Sequence, residues 1–233
     1  MVRVLIPSGA LGLGYDKAAL DRAVAAKPDL IAIDGGSTDS GPSYLGRGVS
    51  KYARESTKVE WRGLIQARTK AGCPLVIGTA GTCGTDSMVD WLYDITIEIL
   101  SELGQSAKIA RLYSEQDPQV IARTQITPLS AAPDVDAATI ASCEHIVALA
   151  GVEQIQVALN TGADIVIAGR TTDTAIIAAL PLQNGDSAGG AWHGAKIGEC
   201  GAICTTNSAT GVIMIDFDAD GFTITPLADD TRA

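Results

Sequence analysis

Short runs rich in valine, isoleucine and leucine alternate with longer stretches of helical periodicity, and several of the runs end in glycine-rich turns. This alternation constrains the fold more than any other feature. Parallel strands need a crossover of a dozen or more residues, normally a helix, and a strand covered on both faces reads as continuous apolar sequence. Residues 2–6, 30–33, 75–77, 108–113 and 164–168 read as such strands. Helices are expected at 16–26, 57–71, 86–103, from Asp117-Pro118, over 136–160 with a break near Gly151, after Asp173, and over 191–204. The polar segment 35–49 reads as one long loop. Near the end, 211–217 and 221–225 flank Asp218-Ala219-Asp220 and read as a hairpin. The expectation is an α/β fold: a mostly parallel sheet flanked by helices, with a C-terminal antiparallel hairpin. It forms a single α/β domain over 1–233, with a βα-alternating body (1–205) and a β-hairpin extension (206–233).

Composition supports this and excludes other classes. Aromatics are only 4% while hydrophobic residues reach 46%, which suits small-residue helices lying close on a buried sheet. A net charge of −10 argues against nucleic acid, whose phosphates need a basic surface. No apolar run has the length of a membrane span, and the first residues read as a strand and not as a secretion signal. Five scattered cysteines are an odd number and read as free thiols in a reducing cytoplasm.

Three strand ends carry the candidate chemistry: Ile33-Asp34-Gly35-Gly36-Ser37-Thr38-Asp39, Ile77-Gly78-Thr79-Ala80-Gly81-Thr82, and Ala168-Gly169-Arg170-Thr171-Thr172-Asp173. In an open α/β sheet the C-terminal strand ends share one edge, where ligands bind. Glycines let backbone amides approach a ligand, hydroxyls add hydrogen bonds, and helix N-termini favour anions. Arg170 suits a carboxylate or phosphate, so a small anionic substrate is inferred. Any one such turn could be only a tight turn; three with polar neighbours argue for a shared pocket. Asp34, where a buried strand meets the long loop, is the first candidate for proton exchange.

Cofactor motifs are missing. Gly9-Ala10-Leu11-Gly12-Leu13-Gly14 has the dinucleotide fingerprint's spacing reversed, and the Gly78, Gly81, Gly84 run lacks a Walker lysine. Neither NAD nor ATP is therefore expected. The cofactor stays unknown: Asp34, Asp39 and Asp173 are compatible with a hard divalent metal, but none is predicted. In the dense run 192–204, His193, Lys196 and Cys200 fall near one face of a helix. Its cysteine spacing does not make a zinc site. His193 is a candidate proton partner of Asp34, and Cys200 a candidate nucleophile, against the plainer reading of a packing cysteine.

Several of these pieces together resemble the acyclic terpene utilisation AtuA family: Pro7-Ser8-Gly9-Ala10-Leu11-Gly12, Ile33-Asp34-Gly35-Gly36-Ser37-Thr38-Asp39-Ser40-Gly41-Pro42, Ile167-Ala168-Gly169-Arg170 with Asp173, and Ala191-Trp192-His193 through Glu199-Cys200-Gly201-Ala202. Family members are generally longer, so the resemblance covers the N-terminal part of their usual length. It leaves open whether the remainder is a separate, cleaved or absent chain. The resemblance implies a catabolic setting that passes through branched carboxylate and acyl-CoA intermediates. With the strand-end pocket, the expectation is an enzyme acting on such a small carboxylate or thioester by hydration, dehydration or isomerisation, a lyase or isomerase. The resemblance also implies that a second polypeptide could complete the site; otherwise a homo-oligomer is expected. The alternatives are a non-catalytic subunit of a larger catabolic complex and, more weakly, a cysteine-nucleophile hydrolase.

Overall fold

The computed structural model describes residues 1–36, 42–124, 126–127, 135–206, 208, 211–229 and 231–233. Five strands run parallel: β1 (Val2–Ile6), β2 (Leu30–Asp34), β3 (Leu75–Gly78), β4 (Ile109–Leu112) and β5 (Ile165–Ala168). The hairpin expected at the C-terminus forms from β6 (Ile213–Phe217) and β7 (Phe222–Pro226). Strand β6 lies antiparallel to β1, with Val2 opposite Phe217 and Ile6 opposite Ile213. The hairpin therefore continues the same sheet, in the order β4-β5-β3-β2-β1-β6-β7. This is the α/β architecture expected from the alternation.

Alternate strand residues feed two separate cores, as a pleat buried on both faces requires. On one face Leu5, Ile31, Ile33, Leu75, Ile77 and Ile167 meet helices α1 (Lys17–Ala25), α3 (Arg54–Ala71) and α4 (Asp86–Leu103). On the other, Val4, Ile6, Leu30, Ala32, Val76 and Val166 meet α7 (Val152–Asn160), α8 (Ala175–Asn184) and α9 (Ala188–Gly198). Short helices α2 (Ser43–Arg47), α5 (Pro118–Ile121) and α6 (Ala137–Ala141) lie in the connections. Asp16 caps α1 by accepting from the Ala19 amide at 2.8 Å, while Gly72 and Gly104 end α3 and α4 in the left-handed conformation.

Local chemistry explains the packing. The indole N–H of fully buried Trp61 donates to Thr96 Oγ1 at 2.8 Å, tying α3 to α4 inside the core. Outside it, Arg54, Lys58 and Arg62, one turn apart on α3, pair with Glu98 and Glu102 on α4. Helix α8 is apolar all round because the sheet, α7 and α9 enclose it. Helix α9 presents Gly194 and Gly198 to the hairpin: a β-carbon on Gly194 would stand 2.7 Å from Phe217, and one on Gly198 2.5 Å from Ile215.

Three expectations need correction. Residues 136–160 hold two helices with irregular chain between them, because segment 142–150 instead pairs with neighbouring loops: Ala148 N donates to Ser114 O, and Ala150 N to Arg170 O. The helix expected over 191–204 begins earlier, at Ala188, and stops at Gly198. A 3₁₀ turn over Gly201–Cys204 follows, because Gly201 takes a left-handed φ of 63°. In the loop expected over 35–49, α2 adds a turn of helix, while Ser37 to Gly41 lie outside the described residues.

Gly78, the last residue of β3, has no room for a side chain, since a β-carbon would overlap the hydroxyl of buried Thr171 and lie 2.9 Å from Ile176 Cγ2. Gly78→Ala should destabilise the fold by about 1–3 kcal/mol through overpacking. Adding Thr171→Ala should recover part of that loss. Urea denaturation of both variants checks this; equal stability of Gly78→Ala and the parent would refute the contact.

Candidate functional site

The chain order of the strands dictates where a crevice opens. After β3 the chain leaves for α4 on one face of the sheet, and after β5 it leaves for α8 on the other. Such a topological switch between neighbouring strands is the usual ligand position in an open α/β sheet. Here the gap is closed by backbone, with Thr79 N donating to Gly169 O at 2.7 Å and Ala80 N to Ala168 O at 3.0 Å. The cavity instead opens over the ends of β2 and β1. It measures about 270 Å³ and is lined by Asp34, Gly36, Gly9, Ala10, Leu13, Lys51, Tyr52, Thr82, Asp173, Glu199, Cys200 and Ile203.

Asp34 is the anchor of this cavity. It ends β2, is 6% exposed, and among the described residues its Oδ1 has no hydrogen-bond partner. Burial is the main force pushing its carboxyl up, to about 7, and the negative charge of Asp173 adds to it. The Gly36 and Gly35 amides and the Arg170 charge work in the opposite direction. A carboxyl in that range exchanges protons readily at neutral pH.

The cavity walls are held by close backbone approach. Gly35 lies on Thr79, where a β-carbon would run into the Thr79 carbonyl. Thr82, at φ 76°, sits over Gly36, donates its amide to Gly35 O at 3.1 Å, and accepts from the Lys51 amide at 3.1 Å. That last bond fixes Lys51 and Tyr52 on the cavity rim. Across the cavity, a β-carbon on Gly9 would lie 2.8 Å from Cys200 O, and one on Gly201 2.5 Å from Gly9 N. These two glycines bring the β1 loop and the chain after α9 together, so that Cys200 and Glu199 face the same space as Asp34.

A second cavity of about 320 Å³ adjoins the first, sharing Asp173 and Glu199 and adding Arg170, Thr172, Thr174, Lys196 and Leu149. Lys196 pairs with Glu199 at 2.5 Å. Among the described residues, no group of three histidine, cysteine or acidic side chains is arranged to hold a metal, and no helix is long and apolar enough to cross a membrane.

Of the candidate residues, Asp34, Gly36, Asp173 and Cys200 line the first cavity, and Arg170, Thr172 and Asp173 line the second. Gly35, Gly78, Thr79, Gly81 and Gly169 form the buried scaffold beneath. Thr79, fully buried, exchanges bonds with the Thr171 backbone at 3.4 Å, and a β-carbon on Gly81 would meet Met88. Ser37, Thr38 and Asp39 lie outside the described residues. His193 is not brought to Asp34: it is exposed on α9, with its ring edge-on to Phe222 at 5.2 Å. Cys200 is raised by burial, then by Glu199 and Asp173, and so stays a thiol. The sequence reading missed Tyr52, Lys51, Leu13 and Ile203, which no motif marks. It included Thr82 in the second strand-end run without giving it a role, and Thr82 takes left-handed backbone in that turn between Gly81 and Gly84.

The raised carboxyl has a stability consequence. Asp34 holds its proton more tightly folded (about 7) than in its ordinary state (3.8), so the folded protein binds more protons between those values. Its contribution is complete below about 4 and is lost as pH rises through about 7, with a ceiling on the order of 4 kcal/mol. Asp34→Asn should abolish this slope and leave the variant more stable than the parent at pH 8. Denaturant titrations at pH 5 and pH 8 measure it, and an identical pH dependence for both proteins would refute the burial argument.

A family model described as acyclic terpene utilisation family protein AtuA matches residues 50–231. No curated protein and no solved structure matches the chain. The matched span covers β3, β5, the second cavity and the 199–204 wall, while Asp34 and the β1 loop precede it. On that match over most of its length, the chain belongs to the acyclic terpene utilisation AtuA family.

Proposed function

We propose that this protein is a catabolic enzyme of acyclic terpene utilisation, acting on a small branched carboxylate or its acyl-CoA thioester by moving a proton at the carbon beside the carbonyl. Family membership implies the catabolic setting. The observation that carries the reaction type is Asp34: a carboxyl buried in a cavity wall, one oxygen unpartnered among the described residues, poised near neutral pH.

As a carboxylate, Asp34 takes the proton from the carbon next to the carbonyl. The electron pair of the broken C–H bond moves into the carbonyl system. The protonated carboxyl then acts in one of two ways. With a β,γ double bond in the substrate, it returns the proton two carbons away as that double bond shifts next to the carbonyl, which is isomerisation. With a hydroxyl on the β-carbon, it protonates that oxygen as the C–O bond breaks, so that water leaves and a double bond forms. Both routes balance with Asp34 as the single proton carrier. Arg170, in the adjoining cavity with Lys196, suits the anionic end of the substrate. Asp173, between the two cavities, keeps Asp34 from ionising too easily. Cys200 held as a thiol speaks against thiolate attack, and so against the hydrolase reading.

Branched five- to ten-carbon acids and their CoA thioesters are the substrates to assay, reading proton exchange at the carbon beside the carbonyl in deuterated water. Asp34→Asn should lower turnover about 100- to 10,000-fold, and the parent's kcat/KM should rise with pH through an inflection near 7. Arg170→Ala should raise the dissociation constant about tenfold or more, the worth of a charge-assisted pair. Full activity in Asp34→Asn, or an unchanged constant in Arg170→Ala, would refute the corresponding role.

A further inference from the structure

Exposed aliphatic side chains occur in several places, among them Val49, Val59, Val120, Val135 and Val157. The exposed leucines and isoleucines among the described residues are Leu13, Ile97, Ile126, Leu149 and Ile203. Leu13, 57% exposed, and Ile203, 69% exposed, both line the Asp34 cavity, and Leu149 lines the cavity beside it. Leu13 and Ile203 come from unrelated parts of the chain, the loop after β1 and the 3₁₀ turn after α9. The contact between Gly9 and the Cys200–Gly201 backbone joins those two segments. The loop holding Leu13 is anchored on both sides, since Glu60 Oε2 accepts from the Gly12 amide at 2.8 Å and the Gly14 amide at 3.3 Å. The aromatic ring of Tyr52 packs over Gly12 and lines the same cavity.

The cavity's lining includes buried Asp34 and Thr82, while exposed Leu13 and Ile203 share the rim with Tyr52 and Lys51. Water-facing leucine and isoleucine on a fixed rim gain free energy only when something apolar covers them.

We propose that Leu13 and Ile203 form a hydrocarbon subsite, so that the ligand is amphipathic, with its polar head against Asp34 and an aliphatic chain laid across the rim. The subsite selects for chain length and is independent of the chemistry at the head. It rests on the proposed function only in placing a carboxylate or thioester head at Asp34.

Calorimetric titration with straight-chain carboxylates from butanoate to decanoate, and with the matching n-alcohols, tests the subsite. In the parent protein, affinity should rise about threefold per added methylene. In Leu13→Ser/Ile203→Ser that gain should disappear, with octanoate or octanol binding at least tenfold more weakly. Ile97→Ser, on the outer side of α4, should behave as the parent. Because the substituted side chains are exposed, melting temperatures should stay unchanged. Alcohols that show the length dependence while no carboxylate binds would uphold the subsite and refute the carboxylate head. The subsite is overturned if neither series binds, if the double variant keeps the length dependence, or if Ile97→Ser loses it equally. It is also overturned if the double variant changes only the oligomeric state on gel filtration, which would assign the rim to contact between two copies.

Discussion

Backbone standing where a β-carbon would otherwise be is the constraint on which the rest of the site depends. Gly35 under Thr79, Gly78 under Thr171, and Gly9 against the Cys200–Gly201 turn allow five separate segments to approach closer than side chains permit. The result is a rigid platform at one edge of the sheet. Two non-glycine residues there, Thr79 and Thr82, hold left-handed backbone at φ 53° and 76°. Each such conformation costs on the order of 1–3 kcal/mol and persists only when the surroundings over-determine it. The bonds from Thr82 to Gly35 and Lys51 are part of that determination.

The same close packing explains why the cavity is displaced from the strand switch between β3 and β5. Once Thr79 and Ala80 bond to Gly169 and Ala168, no space remains between those strands. Room opens instead where β2 ends in Asp34, beneath a wall supplied by the chain after α9. Burial of Asp34 follows directly from this arrangement, and its unusual proton affinity follows from burial and from Asp173. Packing and acid–base chemistry are therefore consequences of one geometric fact.

Much of the fold was legible in the sequence because buried parallel strands announce themselves twice, as apolar runs and as the glycine turns that end them. Runs such as Leu30-Ile31-Ala32-Ile33 and Leu75-Val76-Ile77 left little choice of strand position, and Asp34 stood out at the end of one. Local pattern could not show which glycines serve a ligand and which serve a neighbouring loop. Gly78 and Gly169 read as ligand-facing and are packed under backbone and side chains instead. Helical periodicity likewise suggested that His193 and Cys200 share a face, yet the chain leaves α9 at Gly198, and the break at Gly201 sends Cys200 to the cavity while His193 stays against Phe222. Leu13 and Ile203 carried no signal, because their significance is that they are exposed, and exposure is a property of the assembled fold.

The pairing of β1 with β6 has a bearing on how this molecule comes into being. The first strand meets one neighbour, β2, after a single helix, but must wait for β6, more than two hundred residues later in synthesis, to complete its other side. Non-local pairings of this kind slow folding, because loop-closure entropy is lost before the contact is made. Until β6 docks, the hydrogen-bonding edge of β1 stays open, and such an edge is where association with other chains begins. The 199–204 wall directly precedes β6, so the cavity over Asp34 takes shape only after the five parallel strands have been made, together with the β6 residues that complete both cores.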